Sequence, residues 1–221
     1  MAFDIHQLDR TEADDERAEK ALDQYCDELV ERFQESPEGQ TRLQADPEMG
    51  FWANGFVEYA FNYLGATPPR VTAAQVEEIV TEILPRKVSS LSPEEADQAI
   101  PELIAFWEYL QREYKLSNAN AALRVLRRVK PDFRRLMNDP ANWGMAKSLV
   151  MQGQAAGFDM TSEEGVNQFM AAYNARLLAQ PAGPGREFPD PFGRRPGSRP
   201  DPKKKKQRKA AKAARKRNRR R

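Results

Sequence analysis

Residues 51–65 read FWANGFVEYAFNYLG, an almost continuous run of apolar side chains. At helical spacing, six of them share one face: Trp52, Phe56, Tyr59, Ala60, Tyr63 and Leu64. Phe51, Val57 and Phe61 lie off this face, and a helix that is apolar nearly all round is normally surrounded by other helices. The stretch therefore predicts a helix at the centre of the fold, ended by Gly65 because glycine favours the left-handed cap conformation.

Helical periodicity continues upstream of this stretch. A stripe with i, i+3, i+4 spacing lies opposite an acidic surface and consists of Leu22, Tyr25, Cys26, Leu29, Val30 and Phe33. Ser36-Pro37-Glu38 then predicts an N-cap with proline at the first helical position, which opens a short helix to Leu43.

Start and stop signals delimit the helices downstream. They predict a helix from Thr72 to Leu84 stopped at Pro85-Arg86-Lys87, and a helix that begins at the Ser92–Glu95 capping box and is split or kinked at Pro101. They further predict short helices over 118–129 and 133–137, a helix opened by Asp139-Pro140 and stopped at Gly157, and a last helix capped by Thr161-Ser162. The sequence contains no alternating strand pattern bounded by hairpin turns. It therefore predicts an all-α protein, one compact domain of about seven or eight helices.

The composition changes abruptly after Gln180. Residues 181–202 contain seven prolines and four glycines with few apolar side chains, which predicts an extended linker. Residues 203–221 read KKKKQRKAAKAARKRNRRR. Their like charges repel one another, and the segment has no large apolar side chain whose burial would stabilise a fold. The predicted organisation is a flexible N-terminus (1–13), a helical domain (14–180), a Pro/Gly-rich linker (181–202) and a disordered basic tail (203–221).

The charge is divided in the same way. The formal net charge of +2 combines 18 Lys+Arg and 30 Asp+Glu in residues 1–180 with 17 Lys+Arg and 3 Asp+Glu in residues 181–221. A near-neutral total thus conceals an acidic body of −12 and a basic end of +14. The basic end indicates a polyanionic partner.

The tail carries 13 cations in 19 positions without an acid. Lys and Arg that neutralise phosphates release condensed counterions, so such a segment binds nucleic acid with steep salt dependence. It has no aromatic residue to stack on bases, which predicts binding without sequence preference, with RNA slightly favoured over DNA. The predicted binding residues are Lys203, Lys204, Lys205, Lys206, Arg208, Lys209, Lys212, Arg215, Lys216, Arg217, Arg219, Arg220 and Arg221.

Other roles for the tail stay open. It can be a solubilising or targeting segment on a helical adaptor module, in which case the body binds a protein partner. An anionic membrane surface fits less well because no lipid anchor or amphipathic apolar face accompanies the charges. No apolar run approaches the roughly 18 residues of a membrane span.

The tail can also contact its own body. A linker gives the two oppositely charged parts a high effective concentration, so an acidic face of the first helices can hold the tail in competition with nucleic acid. The alternative, favoured on sequence alone, is that these acids form a solvated helix face. The acids are Asp14, Asp15, Glu16, Glu19, Asp23, Asp27, Glu28, Glu31 and Glu35.

The sequence favours a non-catalytic protein. Its single cysteine, Cys26, excludes a disulfide framework and zinc sites that need two or more thiolates, and its single histidine, His6, lies near the N-terminus. The phosphate-loop, dinucleotide-binding, zincin and nucleophile-elbow motifs do not occur. We therefore expect no catalytic residue, no metal site and no cofactor. The cysteine usage and the lack of a signal peptide predict a cytoplasmic protein, associated with the nucleoid or the ribosome if it binds nucleic acid.

We expect the cysteine, the tryptophans and the arginines of the helical domain to have mainly structural roles. Cys26 is expected to be a small buried hydrophobe. The three tryptophans, Trp52, Trp107 and Trp143, are expected to anchor the core. A six-cation stretch can extend the phosphate-binding surface, although salt bridges to the acidic helices are favoured: Arg124, Arg127, Arg128, Lys130, Arg134 and Arg135.

Three segments resemble a group of uncharacterised bacterial helical proteins: FWANGFVEYAFNYLG (51–65), EILPRKVSS (82–90) and DPANWGMAKSLVMQGQAAGFDMTSEEGVNQFMAAYN (139–174). The helix followed by LPRKV (84–88) is also similar to a module found beside SEC-C zinc motifs. The resemblance covers roughly residues 25–175. It implies a bacterial, helical, cytoplasmic protein and carries over no site. The chain departs from the SEC-C companions because no cysteine follows Cys26.

Overall fold

The computed structural model describes residues 3–10, 16–47, 49–89 and 95–179. Within these ranges all regular structure is helical and no strand occurs, which confirms the all-α fold class. The α-helices are α1 (Glu16–Glu35), α2 (Pro37–Leu43), α3 (Phe51–Leu64), α4 (Ala73–Glu78), α5 (Leu84–Lys87), α6 (Ala96–Tyr114), α7 (Ala119–Asn138), α8 (Met145–Ala155) and α9 (Glu163–Ala179). Since a π-helical segment, Ile79–Ile83, joins α4 to α5, these ranges hold eight continuous helices. The 181–202 linker, the 203–221 tail and most of the Ser92–Glu95 capping box lie outside the described residues.

The junction between α1 and α2 forms at the predicted cap. Ser36 Oγ accepts a hydrogen bond from the Gly39 N–H at 3.1 Å, and Pro37 occupies the first helical position. Gly39 lets the two helices approach closely, because a Cβ atom there would lie 1.9 Å from the carbonyl oxygen of Phe33. Gly65 ends α3 as predicted, with a φ of 60°.

The segment from α4 to α5 departs from its predicted end. Thr72 forms the predicted N-cap, in a capping box with Gln75. The helix does not stop before Pro85 but continues to Lys87. The Leu84 N–H donates to the Ile79 carbonyl oxygen, five residues back. This wide turn immediately before Pro85 accommodates a residue that has no N–H to donate.

Two other prolines lie inside continuous helices. α6 is not split at Pro101, and α7 continues through Pro131, so the short helices predicted over 118–129 and 133–137 are one helix. Proline removes one backbone hydrogen bond and costs about 3 kcal/mol in a helix interior. α7 offsets this cost by burying side chains on both sides of Pro131, among them Leu126 and Phe133.

The predicted helix start at Asp139 is also wrong. Asp139-Pro140 opens a 3-10 turn, Pro140–Asn142, and α8 begins only after Gly144. The Trp143 indole Nε1 donates to the Met137 carbonyl oxygen at 2.8 Å, and the Gly144 N–H donates to the Arg86 carbonyl oxygen at 3.0 Å. These bonds hold the chain extended across the ends of α7 and α5.

The last helix is capped as predicted. Ser162 Oγ accepts from the Gly165 N–H at 3.1 Å at the start of α9. Phe169 of α9 is buried, and its ring lies 5.6 Å from that of Phe158. Among the side chains that the structure describes, α8 and α9 add none to the main hydrophobic core, and Phe169 and Tyr173 of α9 form a small separate aromatic cluster with Phe158 of the preceding loop.

The core is centred on α6, which corrects the prediction for α3. α6 packs against α7, α2 and α3 and buries Phe106 and Trp107 completely. α3 is one-sided, since Phe51 and Tyr63 are 60% and 51% exposed. Its buried residues include two that were predicted off the face: Trp52, Ala53, Phe56, Val57, Ala60 and Phe61.

The N-terminal segment differs from the flexible stretch predicted for residues 1–13. Residues 3–10 pack against the bundle through Ile5 and Leu8, which are both buried. The Tyr25 hydroxyl donates to the Ile5 carbonyl oxygen at 2.9 Å. Two apolar side chains are too few to show a helical period, but they suffice to dock a single turn.

Candidate nucleic-acid interface

The thirteen residues predicted to bind phosphate follow the last described residue, Ala179. All of them, from Lys203 to Arg221, lie outside the described ranges. The described body presents two charged surfaces of opposite sign instead, one on α7 and one on α1. Their geometry decides whether the body attracts or repels a polyanion.

α7 carries the six predicted cations, but four of them are paired. The four N–O pairs are Arg127–Glu108 at 2.8 Å, Arg128–Glu77 at 2.8 Å, Arg134–Asp97 at 2.9 Å and Arg135–Asp132 at 3.1 Å. Arg124 and Lys130 form no ion pair within the described ranges. Such exposed pairs contribute at most about 1 kcal/mol each to stability. They do cancel most of the positive charge that this helix would offer a phosphate.

Five carboxylates lie at four-residue intervals along α1. This α1 acidic stripe consists of Glu19, Asp23, Asp27, Glu31 and Glu35. All five are exposed, and none forms an ion pair within the part of the chain that the structure describes. Like charges at i and i+4 repel by about 0.2–0.5 kcal/mol per pair. Glu31 and Glu35 also lie near the C-terminus of α1, where the helix dipole disfavours anions.

A groove separates the stripe from the start of α3. This α1–α3 groove has a volume of about 600 Å³. It is lined by two carboxylates of the stripe together with polar and apolar side chains, among them the exposed Phe51. The lining residues are Asp27, Val30, Glu31, Gln34, Met49, Gly50, Phe51 and Asn54.

Glu102 is a buried carboxylate that the sequence analysis missed. It lies on the inner face of α6 and is completely buried. Its Oε1 accepts a hydrogen bond from the Ala53 N–H at 2.8 Å, at the start of α3. Burial raises the pKa of Glu102 to about 7. The spacing offered a signal, because Glu102 falls at i+3 from Ala99 and i−4 from Phe106 on the apolar stripe of α6.

Lys147 is a second buried ionisable group that went unnoticed. Its Nζ donates to the carbonyl oxygens of Met137 at 2.8 Å and Pro85 at 3.1 Å, near the C-termini of α7 and α5. It also lies 5.5 Å from the centroid of the Trp143 ring. Desolvation lowers the pKa of Lys147 to about 8. Lys147 is 2% exposed, so it holds the chain together and is not accessible to a substrate.

Cys26 and two of the three tryptophans lie where the sequence predicts them. Cys26 is buried as predicted, and desolvation raises the pKa of its thiol to about 12. Trp52 and Trp107 are buried core residues, whereas Trp143 is only half-buried and holds the end of α7.

His6 belongs to a small polar cluster at the N-terminus. Its Nδ1 lies 2.9 Å from Asp9 Oδ2, and Asp9 also binds Arg70 at 3.0 Å and the Thr67 hydroxyl. Burial raises the pKa of Asp9, but the hydrogen bonds from Thr67, His6 and Arg70 outweigh it and lower that pKa below its usual value. The cluster fastens the N-terminal segment to the body and needs no ligand to explain it.

Within the described ranges, no group of three or more His, Cys, Asp or Glu side chains is arranged to hold a metal ion. None of the helices in those ranges has both the length and the apolar character needed to cross a bilayer. The chain matches no protein-family model, no curated protein and no solved structure. The resemblance of residues 51–65, 82–90 and 139–174 to bacterial helical proteins therefore stays a prediction.

Proposed function

We propose that this chain is a non-catalytic nucleic-acid-binding protein whose residues 203–221 contact phosphates without sequence preference. The observation that carries the proposal is the density of 13 cations in 19 positions without an acid. Phosphate contacts of this kind give affinity and little base discrimination. RNA is slightly favoured over DNA as the partner, and the bacterial cytoplasm, at the nucleoid or the ribosome, is the proposed location.

The charges of the described body support the proposal that residues 203–221, and not the body, contact phosphate. The α1 acidic stripe presents negative charge that no cation of the described ranges pairs with, and this charge repels a phosphate backbone. The arginines of α7 are largely neutralised by Glu108, Glu77, Asp97 and Asp132. Contact with a polyanion therefore falls to the basic segment that follows the body.

The test compares nucleic-acid affinities across a salt series. Three proteins are measured by fluorescence anisotropy on the same 20-mer RNA and DNA duplexes: the full chain, a chain ending at Gln180, and the full chain with Arg127→Gln and Arg128→Gln. The last variant is the control for cations on the body. Circular dichroism checks that all three are equally helical.

We expect binding to be lost with the tail and to change by less than about twofold in the α7 variant, whose arginines are already paired. For the full chain on DNA, log K should fall with log salt by several units, roughly 0.9 per phosphate contacted. Equal affinity of the full and shortened chains would overturn the proposal.

A protein-binding adaptor is the second candidate. Three large apolar side chains are exposed on the body, Phe51, Tyr63 and Met145. Exposed aromatic residues are typical anchors of protein interfaces. In this case the tail only aids solubility or localisation, and full and shortened chains bind nucleic acid equally weakly.

A further inference from the structure

We propose that residues 203–221 occupy the α1 acidic stripe and the α1–α3 groove whenever no nucleic acid is bound, so that the body restrains its own binding segment. The regulatory meaning of this contact rests on the proposed function. The contact itself does not, because it depends only on the charges and shape of α1 and α3. It makes nucleic acid compete with the body for one basic segment.

Among the described residues, α1 carries the largest group of exposed carboxylates without an ion pair, and Glu163 and Glu164 on α9 form a smaller one. Elsewhere on the body, exposed carboxylates such as Glu77, Asp97 and Glu108 already face an arginine within 2.9 Å. The five carboxylates of the stripe have no such partner within the described ranges. The largest concentration of cations available to them in the same chain is the +13 of residues 203–221.

The shape of the surface suits an extended Lys/Arg-rich segment. Carboxylates four residues apart on a helix are separated by about 6 Å along the axis and by about 40° around it, so the stripe advances about 24 Å while it winds partly around α1. An extended segment that follows it needs more than the seven or eight residues that span 24 Å at about 3.3 Å per residue, and residues 203–221 exceed that number. About every second residue of such a segment can therefore meet a carboxylate.

The groove adds contacts that a plain acidic surface lacks. The half-buried Val30 in its lining can contact the aliphatic stems of Lys and Arg while their charged ends reach Asp27 and Glu31. The Phe51 ring is 60% exposed and offers a face for a guanidinium. The six arginines of the tail are the matching groups.

The chain is long enough for this contact. The 23 residues from 180 to 202 separate α9 from the basic segment and span at most about 80 Å when fully extended. A globular domain of this body's length is roughly 40 Å across. Tethering at this range corresponds to an effective concentration near the millimolar scale, which makes even a weak contact populated.

Nucleic acid displaces the contact because its phosphates are denser than the carboxylates of the stripe. Added salt screens both interactions, so the competition is strongest at low ionic strength. The full chain should therefore bind nucleic acid less tightly at low salt than the same chain with a neutralised stripe.

The test uses the full chain in two matched variants. Asp27→Asn with Glu31→Gln neutralises the stripe beside the groove. Glu163→Gln with Glu164→Gln is the control, since it removes the same charge from an exposed part of α9. Affinity for a 20-mer duplex is measured at about 50 and 300 mM salt. Carbodiimide cross-linking of the unmodified chain, alone and with duplex, maps bonds between tail lysines and α1 carboxylates.

We expect the stripe variant to bind at least about threefold more tightly than the control at low salt, with no difference at high salt. Cross-links should join residues 203–216 to α1 and disappear when duplex is added. Equal affinities of the two variants, or tighter binding without cross-links to α1, would overturn the inference. Cross-links found only between isotopically different copies would assign the surface to a neighbouring chain and also overturn it. If the unmodified chain does not bind nucleic acid at all, the proposed function fails while the cross-links still test the contact.

Discussion

Glu102 accepts a hydrogen bond from the backbone N–H of Ala53 at 2.8 Å, and this bond joins the interior of α6 to the first turn of α3. The second carboxylate oxygen of Glu102 is buried and has no hydrogen-bond partner in the described part of the chain. Burial raises the pKa of this carboxyl to about 7. An ionised Glu102 is thus costly at neutral pH, even though its hydrogen bond orders the start of α3.

The stability of the protein should fall as pH rises because of Glu102. An acid whose pKa is raised in the folded state binds its proton more tightly there, so its contribution is complete below about pH 4.5 and is lost as pH rises through about 7. The full difference is on the order of 3 kcal/mol. In Glu102→Gln, which keeps an oxygen for the Ala53 N–H, the free energy of unfolding should depend less on pH between 5 and 8. Urea denaturation at each pH measures this free energy. Parallel pH profiles for wild type and Glu102→Gln would contradict the prediction. Glu108→Gln, an exposed change on the same helix, is the control.

Lys147 should have the opposite effect at alkaline pH. Its pKa is lowered to about 8 in the folded state, so the folded protein releases a proton more readily. Stability that Lys147 contributes is therefore present above about pH 10.5 and is lost as pH falls through about 8. Wild type should gain roughly 2 kcal/mol relative to Lys147→Met between pH 7 and 9.5. The exposed change Lys130→Met should show no such gain in the same denaturation series, and a constant difference for Lys147→Met would exclude the mechanism.

Two helical glycines should respond to alanine with opposite sign. At Gly39 a Cβ atom would lie 1.9 Å from the Phe33 carbonyl oxygen, so Gly39→Ala forces α1 and α2 apart and should cost about 2–4 kcal/mol. At Gly55 the nearest atom is Tyr59 Cε2 at 3.8 Å, an ordinary contact. Gly55→Ala should therefore stabilise α3 by up to about 1 kcal/mol. Thermal unfolding of both variants checks the pair; equal shifts in Tm would contradict the close approach at Gly39.

Cys26 should be unreactive in the folded protein. Cys26 is 4% exposed, and its thiol pKa is raised to about 12, mainly by desolvation. At pH 8 a reagent therefore cannot reach the sulfur, and the thiol stays protonated. A disulfide reagent at pH 8 should label Cys26 only after urea unfolds the chain, with one thiol then titrated per molecule. Rapid stoichiometric labelling without urea would show that α1 opens locally.

Local sequence signals located most helices correctly, because caps and apolar periods act within a few residues. Ser36, Thr72 and Ser162 cap helices where their side chains can reach a nearby N–H. The errors cluster at prolines. A split or kink was expected at Pro101, and two short helices were expected over 118–129 and 133–137, yet α6 and α7 continue through Pro101 and Pro131 because burial of the flanking side chains outweighs one lost hydrogen bond.

The apolar character of residues 51–65 also led to the wrong central helix, since α3 was predicted there and α6 is found. The aromatic residues of α3 suggested burial all round, but Phe51 and Tyr63 are exposed while α6 occupies the core. Periodicity gives the width of an apolar face and not the number of neighbours that cover it. The pairing of the α7 arginines was favoured in advance, because an acidic body offers many carboxylates, but their individual partners depend on how α7 lies against α4 and α6.

The sequence by itself determined the helical class, most helix starts and the division between an acidic body and a basic end, since these depend on neighbouring residues and on composition. Only the tertiary structure decided which charges are paired. It pairs Arg127, Arg128 and Arg134 of α7 with acids distant in sequence, buries Glu102 and Lys147, and leaves the α1 acidic stripe in solvent. The physical reason is that an ion pair or a desolvated charge depends on distances between helices, which no local pattern encodes.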